Sequence, residues 1–319
     1  MTKVSVMMPA YNAEKFISQA LDSILLQDFQ DFQIVVSDDA STDGTADIVR
    51  VYQEKYPDKI TAIYNSTNIG ITANCNLALS HCVGDYVALF AGDDIMLQGK
   101  LSRQVELMDS TPKCVLCYHP VEIFDSDSNQ TFFVTNKSYR EDVYSTTDLL
   151  LKGGIPGGCS IMVRKSAIPT GGYDSRLKTV SDWLFFLEIS MSGELHKLDL
   201  VLARYRKHQA GASQLAYSLL SESLYALDIF KEKYPNRTEL LELLPQAKAR
   251  YLAGEAFRKL EVDPILALRL ATEVLVYKPA SAKYRILYFI TLVIRYFPGG
   301  KLLGMMLLSF KYSLKRFLG

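Results

Sequence analysis

The sequence predicts an α/β fold in which helices flank a mostly parallel sheet and an all-helical region follows. Short apolar runs alternate with stretches of helical periodicity over the first 100 residues. A strand–helix–strand unit recurs three times there, and such units form parallel sheets through right-handed crossovers. After about residue 213 the periodicity is helical only. We therefore expect two regions, residues 1–212 and 213–319, and the first divides near residue 100.

The individual elements follow from the spacing of apolar residues. Buried strands are predicted where apolar runs occur in the first half, at 4–8, 33–37, 60–64 and 85–90. Spacings of three and four predict a helix that begins at Asn12 and further helices at 43–56 and 71–82. In the less regular second half, helices are expected at 97–110, 146–152 and 182–192. Strands are expected there at 114–124, 159–163 and 195–206, with a polar stretch at 125–142.

The charge balance argues against one class of partner and suggests another. The 35 basic residues equal the 35 acidic ones, which is unlike a nucleic-acid-binding protein that works by counterion release. The last 46 residues nevertheless carry eight basic residues and no acidic one. Within them, the apolar run 286–297 contains Arg295 and is too short to cross a bilayer.

Apolar stripes with only basic charges are typical of helices that lie on an anionic membrane surface. We therefore predict that segments 286–297 and 299–319 make such a contact. The alternative is that they pack against the net acidic remainder of the chain. No signal peptide is evident at the N-terminus, so we expect a cytoplasmic protein, in the first case at the inner face of the cell membrane.

The five cysteines do not suggest a metal or disulfide framework. Cys114 and Cys117 form a lone C-x-x-C within a predicted strand, where a separation of three places them on opposite faces. We expect buried, reduced thiols, as is usual in the cytoplasm.

Polar and acidic residues follow three of the predicted strands. Pro9, Tyr11 and Asn12 follow the first strand, Asp39 the second, and the pair Asp93–Asp94 the fourth. In open α/β sheets, ligands bind beyond the carboxyl ends of the strands. A glycine-rich dinucleotide motif does not follow the first strand, which argues against a dehydrogenase.

The Asp93–Asp94 pair has two interpretations. Adjacent carboxylates repel each other unless a cation shares their site. They suit a hard divalent ion whose other ligands are water and phosphate oxygens, and such an ion offsets the charge on a diphosphate leaving group. The alternative is helix capping, which Asp also favours. Asp39, at the top of its strand, is placed to hydrogen-bond a base or a ribose.

Several ordered motifs over about residues 3–213 resemble family 2 glycosyltransferases. They are VSVMMPAYN, IVVSDDASTDGT, NIGITANCN, GDYVALFAGDD, YDSRLKTVSDWLFF and RYRKH. The resemblance implies the GT-A fold, a Rossmann-like sheet with a nucleotide-sugar half (1–100) and an acceptor half (101–212). It also implies transfer from a UDP- or dTDP-activated sugar to an acceptor hydroxyl with inversion, assisted by Mn²⁺ or Mg²⁺.

The resemblance carries over to particular residues. Donor contacts are expected at Pro9, Tyr11, Asn12, Asp39, Asn68, Gly70, Asn76 and Asp93. Metal contacts are expected at Asp93, Asp94 and His208. The sequence departs from the family pattern at three positions. Ala91 stands in place of the first acid of D-x-D, and Ser181 stands in place of the acid before the base. Cys75 occupies a position that is often basic in relatives.

The resemblance makes Asp182 the expected catalytic base. It begins a buried helix beside Trp183, and partial desolvation there favours a raised pKa and the capacity to accept a hydroxyl proton. The alternative is that Asp182 only caps this helix. His208 likewise has a structural alternative, although it lies among cationic side chains beside the expected anion site.

The acceptor is expected to be a saccharide or a lipid-linked saccharide, used in surface polysaccharide or glycolipid assembly. Two competing functions stay open at this stage. One is a catalytically inactive binding subunit, which the missing acids at 91 and 181 permit. The other is a sugar-nucleotide nucleotidyltransferase, although those enzymes usually carry a glycine-rich basic loop where this chain has Pro9-Ala-Tyr-Asn12.

Overall fold

The computed structural model describes residues 2–135, 142–155, 157–208 and 219–296. The chain divides into two compact units, Met1–Tyr217 and Ser218–Gly319. The predicted boundary at residue 212 and the predicted tail 299–319 lie outside the described residues.

The first unit contains a seven-stranded sheet and a four-stranded sheet. Its strands are β1 (Val4–Ala10), β2 (Phe32–Asp38), β3 (Ile60–Tyr64), β4 (Tyr86–Leu89), β5 (Ile95–Met96), β6 (Cys114–Tyr118), β7 (Val121–Asp125), β8 (Thr131–Val134), β9 (Met162–Arg164), β10 (Glu194–Lys197) and β11 (Ala203–Lys207). Its helices are α1 (Ile17–Leu25), α2 (Thr45–Lys55), α3 (Ile71–Ser80), α4 (Lys100–Ser110), α5 (Thr146–Lys152) and α6 (Ser181–Ser190).

The large sheet has the strand order β10-β6-β9-β4-β1-β2-β3. β9 runs antiparallel to β4 and to β6, and the other neighbours are parallel, so the predicted mostly parallel sheet is confirmed. β1 is almost wholly buried because helices cover both faces of the sheet at this point. α1 buries Ile17, Ala20, Leu21 and Ile24, which have the predicted helical spacing.

The prediction of one strand over 114–124 was wrong. The segment forms β6 and β7, which lie in different sheets and are separated by His119 and Pro120. Proline has no amide hydrogen to donate and fixes φ, so a ladder does not continue through it. The predicted strand 195–206 is likewise two strands, β10 and β11, and the polar stretch 125–142 contains β8.

These corrections reveal a second sheet that the sequence did not predict. Its order is β5-β11-β7-β8, with β11 parallel to β7 and antiparallel to β5. β5 directly follows Asp94, and β11 ends directly before His208. The small sheet therefore brings residue 208 next to the aspartate pair at the end of β4.

The cysteines are all free, and Cys75 alone of the five is partly exposed. Cys114 and Cys117 are both buried. Burial raises the pKa of the Cys114 thiol to about 11, so this thiol is protonated at neutral pH.

The second unit is helical where it is described. Its helices are α7 (Leu219–Lys233), α8 (Thr238–Leu241), α9 (Leu244–Lys259), α10 (Pro264–Tyr277) and α11 (Ala282–Tyr296). α9, α10 and α11 share a core that includes Leu252, Ala256, Ala271, Val274 and Leu287. Among the described helices of the chain, we find none with both the length and the apolarity to span a bilayer.

Candidate functional site

The loops that follow β1 and β2 are joined by hydrogen bonds at the carboxyl edge of the sheet. The backbone N–H of Asn12 donates to Ser41 Oγ at 2.9 Å, and the backbone N–H of Thr42 donates to Asn12 Oδ1 at 2.9 Å. Ala13 N donates to Thr45 Oγ1 at 2.7 Å. Asn12 has a φ of 49°, a left-handed conformation that Asn tolerates better than most residues.

The prediction that α1 begins at Asn12 was therefore wrong, since the helix starts at Ile17 and Asn12 joins the two loops. The neighbouring Tyr11 is exposed and Pro9 is partly buried. Both lie at the edge where the expected donor site is located, and their contacts with a donor stay predictions.

Asp39 binds the loop that precedes α3. Its Oδ1 accepts hydrogen bonds from Ile69 N at 2.8 Å and Asn65 Nδ2 at 3.0 Å, and its Oδ2 accepts from Gly70 N at 3.0 Å. Asn68 Oδ1 also accepts from Gly70 N, at 3.1 Å. Gly70 has φ 86° and ψ 157°, a conformation that is essentially restricted to glycine. The structure therefore brings the predicted residues Asp39, Asn68 and Gly70 together.

α3 also holds the loop that leads to the expected base. Asn76 Oδ1 accepts from Tyr173 N and Asn76 Nδ2 donates to Tyr173 O, both at 2.8 Å. The side chain of Asn76, predicted to bind the donor, is thus engaged with the backbone of this loop. Thr72 Oγ1 lies 2.7 Å from Leu177 O and 2.8 Å from Ser181 Oγ. The sequence does not indicate this role of Thr72, because a threonine in a helical pattern carries no specific signal.

Asp182 lies in the first turn of α6. The helix begins at Ser181 after Val180, and no side chain caps it, so the capping alternative does not describe Asp182. Its Oδ1 accepts a hydrogen bond from Trp183 N at 2.7 Å. The side chain reaches solvent, yet the surrounding protein desolvates the carboxylate and raises its pKa, as expected for a base within a cleft.

Cys75 links the neighbourhoods of Asp39 and Asp182. Burial raises the pKa of the Cys75 thiol to about 12, and the charges of Asp182 and Asp39 both contribute to the rise. Burial likewise raises the pKa of Tyr173, with contributions from Cys75 and Asp182. Asp39 binds the loop that precedes α3, and Thr72 on α3 lies 2.8 Å from Ser181 on α6, so the half of the expected site on β2 and α3 adjoins the half on α6.

The second cluster lies at the end of β4. His208 Nε2 is 2.9 Å from Asp93 Oδ2, and both side chains are partly exposed. The imidazole packs on Phe16, with ring centroids 4.7 Å apart. Arg206 Nε donates to the backbone oxygen of Asp93 at 2.7 Å, and its guanidinium also lies over the Phe16 ring. Arg206 thus fastens β11, and with it His208, to the Asp93 loop.

Asp94 has a different environment from Asp93. It is buried, its Oδ1 accepts from Arg206 N at 2.9 Å, and the thiol of Cys159 donates to it. Burial and the adjacent Asp93 charge raise the pKa of Asp94 well above its usual range. The prediction that Asp94 shares a metal with Asp93 and His208 stays a prediction; in the structure its carboxyl group accepts a hydrogen bond that positions β11.

Asp93 and His208 by themselves suit a divalent ion. In the described ranges, 2–135, 142–155, 157–208 and 219–296, no group of three or more His, Cys, Asp or Glu side chains is placed to hold a metal. A carboxylate oxygen and an imidazole nitrogen are nevertheless ligands that Mn²⁺ accepts. An ion with two protein ligands keeps its other positions for water and phosphate oxygens, so the pair fits an ion that binds together with a diphosphate.

An open cleft of about 550 Å³ adjoins His208. The small sheet forms it, and its lining includes Ile123, Asp125, Asp127, Phe132, Phe133 and Lys207. Phe132 and Phe133 are both exposed, on the edge strand β8. The sequence does not indicate this cleft, because β8 lies in the polar stretch 125–142. A separate cavity of about 720 Å³ is lined by Lys3 and Asp109 at the amino end of β1, away from these residues.

Comparisons with known proteins agree with the fold and with the motifs. The sequence model described as Glycosyl transferase family 2 matches residues 5–169. An uncharacterized protein of Mycobacterium tuberculosis is 32% identical over 219 residues, 67% of this chain. That match covers 62% of the relative's length. The putative glycosyltransferase EpsE of Bacillus subtilis is 34% identical over 197 residues, 60% of this chain and 69% of EpsE.

Two solved structures share the fold at 19% sequence identity. One is TarS 1–349 of S. aureus in complex with UDP-GlcNAc, with a TM-score of 0.64 over 92% of this chain and 86% of that chain. The other is the mannosyltransferase PcManGT of Pyrobaculum calidifontis with GDP-Man and Mn²⁺, with a TM-score of 0.58 over 92% and 84%. Both support the GT-A architecture that the strand order shows.

Proposed function

The chain belongs to glycosyl transferase family 2, and from that membership we propose that it transfers a sugar with inversion from a UDP- or dTDP-activated donor to an acceptor hydroxyl, with release of the nucleoside diphosphate. The observation that carries this proposal is the connection of Asp39 to Asp182 through α3. Gly70 N, directly before α3, donates to Asp39 Oδ2, and Thr72 Oγ1 on α3 lies 2.8 Å from the hydroxyl of Ser181, which precedes Asp182. It supports a donor site at the ends of β1, β2 and β4 beside a base on α6. TarS in complex with UDP-GlcNAc and PcManGT in complex with GDP-Man both hold a nucleoside-diphosphate sugar, the class of donor proposed for this chain.

In this proposal Asp182 receives the proton of the acceptor hydroxyl. The oxygen then attacks the anomeric carbon from the face opposite the diphosphate, which gives inversion. A desolvated carboxylate suits this role because its raised pKa increases its basicity. Trp183 N donates to Oδ1 of this carboxylate and so orients it toward the hydroxyl in this proposal.

The diphosphate is placed beside Asp93 and His208. These two side chains would hold Mn²⁺ or Mg²⁺, which supplies positive charge to offset that of the leaving group. The neighbouring loop residues Tyr11 and Gly70 lie at the same edge of the sheet, where the exposed Tyr11 ring offers a flat surface to a base. We place the reaction in the cytoplasm, in surface polysaccharide or glycolipid assembly.

A donor screen tests the proposal directly. The melting temperature of the chain is measured with UDP, dTDP and GDP, each with and without Mn²⁺, because a ligand that binds only the folded state raises it. We expect UDP or dTDP with Mn²⁺ to give the largest rise, and the matching nucleotide sugar to be slowly hydrolysed. The absence of both effects with every nucleotide would favour an inactive binding subunit.

The acceptor is proposed to be a saccharide, free or lipid-linked, that lies in the cleft beside His208. Exposed aromatic rings and carboxylates are suited to sugars, which present apolar C–H faces and hydroxyl groups. Phe133 shares the sheet with Ile123, to which it is paired in register, and both line the cleft. The cleft is within the size range of small-molecule sites.

Phe133→Ala is expected to weaken acceptor binding and to raise the KM for the acceptor by about tenfold, because an exposed aromatic contact contributes roughly 1–1.5 kcal/mol. The KM for the donor and the rate of donor hydrolysis should stay unchanged. Tyr225→Ala is the control, since Tyr225 is 45% exposed and Phe133 is 48% exposed. An unchanged acceptor KM in Phe133→Ala would contradict this placement of the acceptor.

A further inference from the structure

α11 has one face inside the second unit and one face open to solvent. Its inner face buries Tyr284, Leu287, Ile290 and Ile294 against α9 and α10. On the outer face, Ile286, Phe289 and Tyr296 are 55%, 59% and 66% exposed. Spacings of three and seven place these side chains on one side of the helix. Large apolar side chains grouped on an exposed face point to a partner surface.

The charges around this outer face have one sign. Lys283, Arg285 and Arg295 of α11 are exposed, and the sequence contains no acidic residue after Glu273. On a helical projection Arg285 borders the apolar stripe at its Tyr296 edge, Lys283 lies beyond its Ile286 edge, and Arg295 lies farther round the helix. The partner surface should therefore combine negative charge with an apolar layer.

We propose that this outer face of α11, which consists of Ile286, Phe289, Tyr296 and the three basic residues, binds the surface of an anionic lipid bilayer. The apolar side chains would enter the boundary between headgroups and acyl chains. The basic side chains would extend to the phosphates, each contributing to attraction. Tyrosine favours this boundary because its ring is apolar and its hydroxyl polar.

The geometry favours a helix that lies along the surface. The 15 residues of α11 span about 23 Å, less than the roughly 30 Å thickness of the hydrocarbon core. Its inner face is already packed in the second unit. Val293, which lies between Ile286 and Phe289 on a helical projection, is also buried, so Ile286, Phe289 and Tyr296 are the large apolar side chains of α11 that are exposed to a partner. The proposal goes beyond sugar transfer, and it does not depend on which donor or acceptor the protein uses.

A second copy of the chain suits this face less well than a bilayer. A two-fold symmetric contact brings the same patch of both copies together. The three basic residues would then face their own counterparts with no acidic residue of α11 between them. Like charges opposed in this way cost free energy, whereas lipid phosphates complement them.

Vesicle co-sedimentation of the full chain tests the proposal. The vesicles consist of phosphatidylcholine alone or of phosphatidylcholine with phosphatidylglycerol. We expect binding to the second kind and little to the first, with the binding weakened by added salt. The double variant Ile286→Ser/Phe289→Ser should bind at least about tenfold more weakly, because each residue loses apolar burial.

The control replaces two equally exposed apolar residues of the first unit. Leu26 and Val51 are 72% and 61% exposed, and Leu26→Ser/Val51→Ser should bind vesicles like the unchanged protein. Arg285→Glu provides an independent variant that keeps the apolar stripe, and we expect at least about a fivefold loss, since each basic residue near the surface contributes about 1 kcal/mol. Circular dichroism melting confirms that each variant is folded.

Three results would overturn the proposal. The first is that the unchanged protein fails to bind phosphatidylglycerol vesicles. The second is that the folded α11 variants bind these vesicles as well as the unchanged protein does, which would mean that residues other than α11 bind the lipid. In the third, the unchanged protein is a dimer by light scattering and the α11 variants are monomers with unaltered vesicle binding. Donor hydrolysis is expected to be the same in all variants, so failure here leaves the proposed sugar transfer intact.

Discussion

Asp182→Asn is expected to lower the rate of sugar transfer by a factor of about 10² to 10⁴, the usual contribution of a general base. Asparagine has almost the same shape and can still accept the hydrogen bond from Trp183 N, but it does not take up the acceptor proton. Donor binding, measured by the thermal shift with nucleotide and Mn²⁺, should be retained. Transfer close to the original rate would rule out Asp182 as the base.

The matched control is Asp47→Asn. Asp47 also lies in the first turn of a helix, α2, where it forms an exposed ion pair with Arg50. Exposed pairs of this kind contribute little to stability. This variant should therefore transfer sugar at the original rate, so that a loss seen only at residue 182 reports on chemistry.

The raised pKa of Asp182 has consequences for pH dependence. Activity requires the ionised carboxylate, so the acidic limb of the rate profile should lie above the ordinary Asp range. Since desolvation by the surrounding protein raises the folded-state pKa of Asp182, the folded chain binds more protons than the unfolded chain between the two pKa values. This group's contribution to stability therefore falls as pH rises through that window. Asp182→Asn should accordingly melt no lower than the unchanged protein at pH 7.

Asp93→Asn is expected to reduce transfer by roughly 10² to 10³, because a divalent ion at the leaving group contributes several kcal/mol. The amide lacks the negative charge that the ion requires. The diagnostic measurement is the thermal shift, in which the extra stabilisation by Mn²⁺ in the presence of nucleotide should disappear. His208→Ala should likewise reduce the extra stabilisation by Mn²⁺ in the thermal-shift measurement.

Asp85→Asn is the control for Asp93→Asn. Asp85 precedes β4, whereas Asp93 follows it, and Asp85 is an exposed residue 3.6 Å from Lys3. The variant should keep both the Mn²⁺ response and the transfer rate. A full Mn²⁺ response in Asp93→Asn would show that the ion, if required, binds elsewhere.

The first half of the fold was predictable because its signals are local. The apolar runs and helical spacings of β1 to β4 and α1 to α3 lie next to one another in the chain, and parallel strands buried on both faces have long apolar runs. The second half required tertiary information. β6 and β7 are contiguous in sequence but belong to different sheets, and Pro120 was the one available sign of the break.

The sequence indicated which residues belong to the candidate site better than it indicated what each residue does there. The motifs identified Asp39, Asp93, Asp182 and His208. The structure connects Asp39 to the start of α6 through α3 and places Asp93 beside His208. The motifs could not distinguish Asp93 from Asp94, because the direction of two adjacent side chains depends on β11, more than 100 residues away. Pattern alone also could not show that the Asn76 amide holds Tyr173.

The bonded loops after β1 and β2 limit how relatives of this protein can be recombined. Asn12 and Ala13 on one loop are hydrogen-bonded to Ser41, Thr42 and Thr45 on the other. A chimera that imports only one of the two segments would lose these partners and leave the buried Ala13 N–H unsatisfied. Engineering of nucleotide preference should therefore exchange residues 9–14 and 38–45 together, as a single cassette.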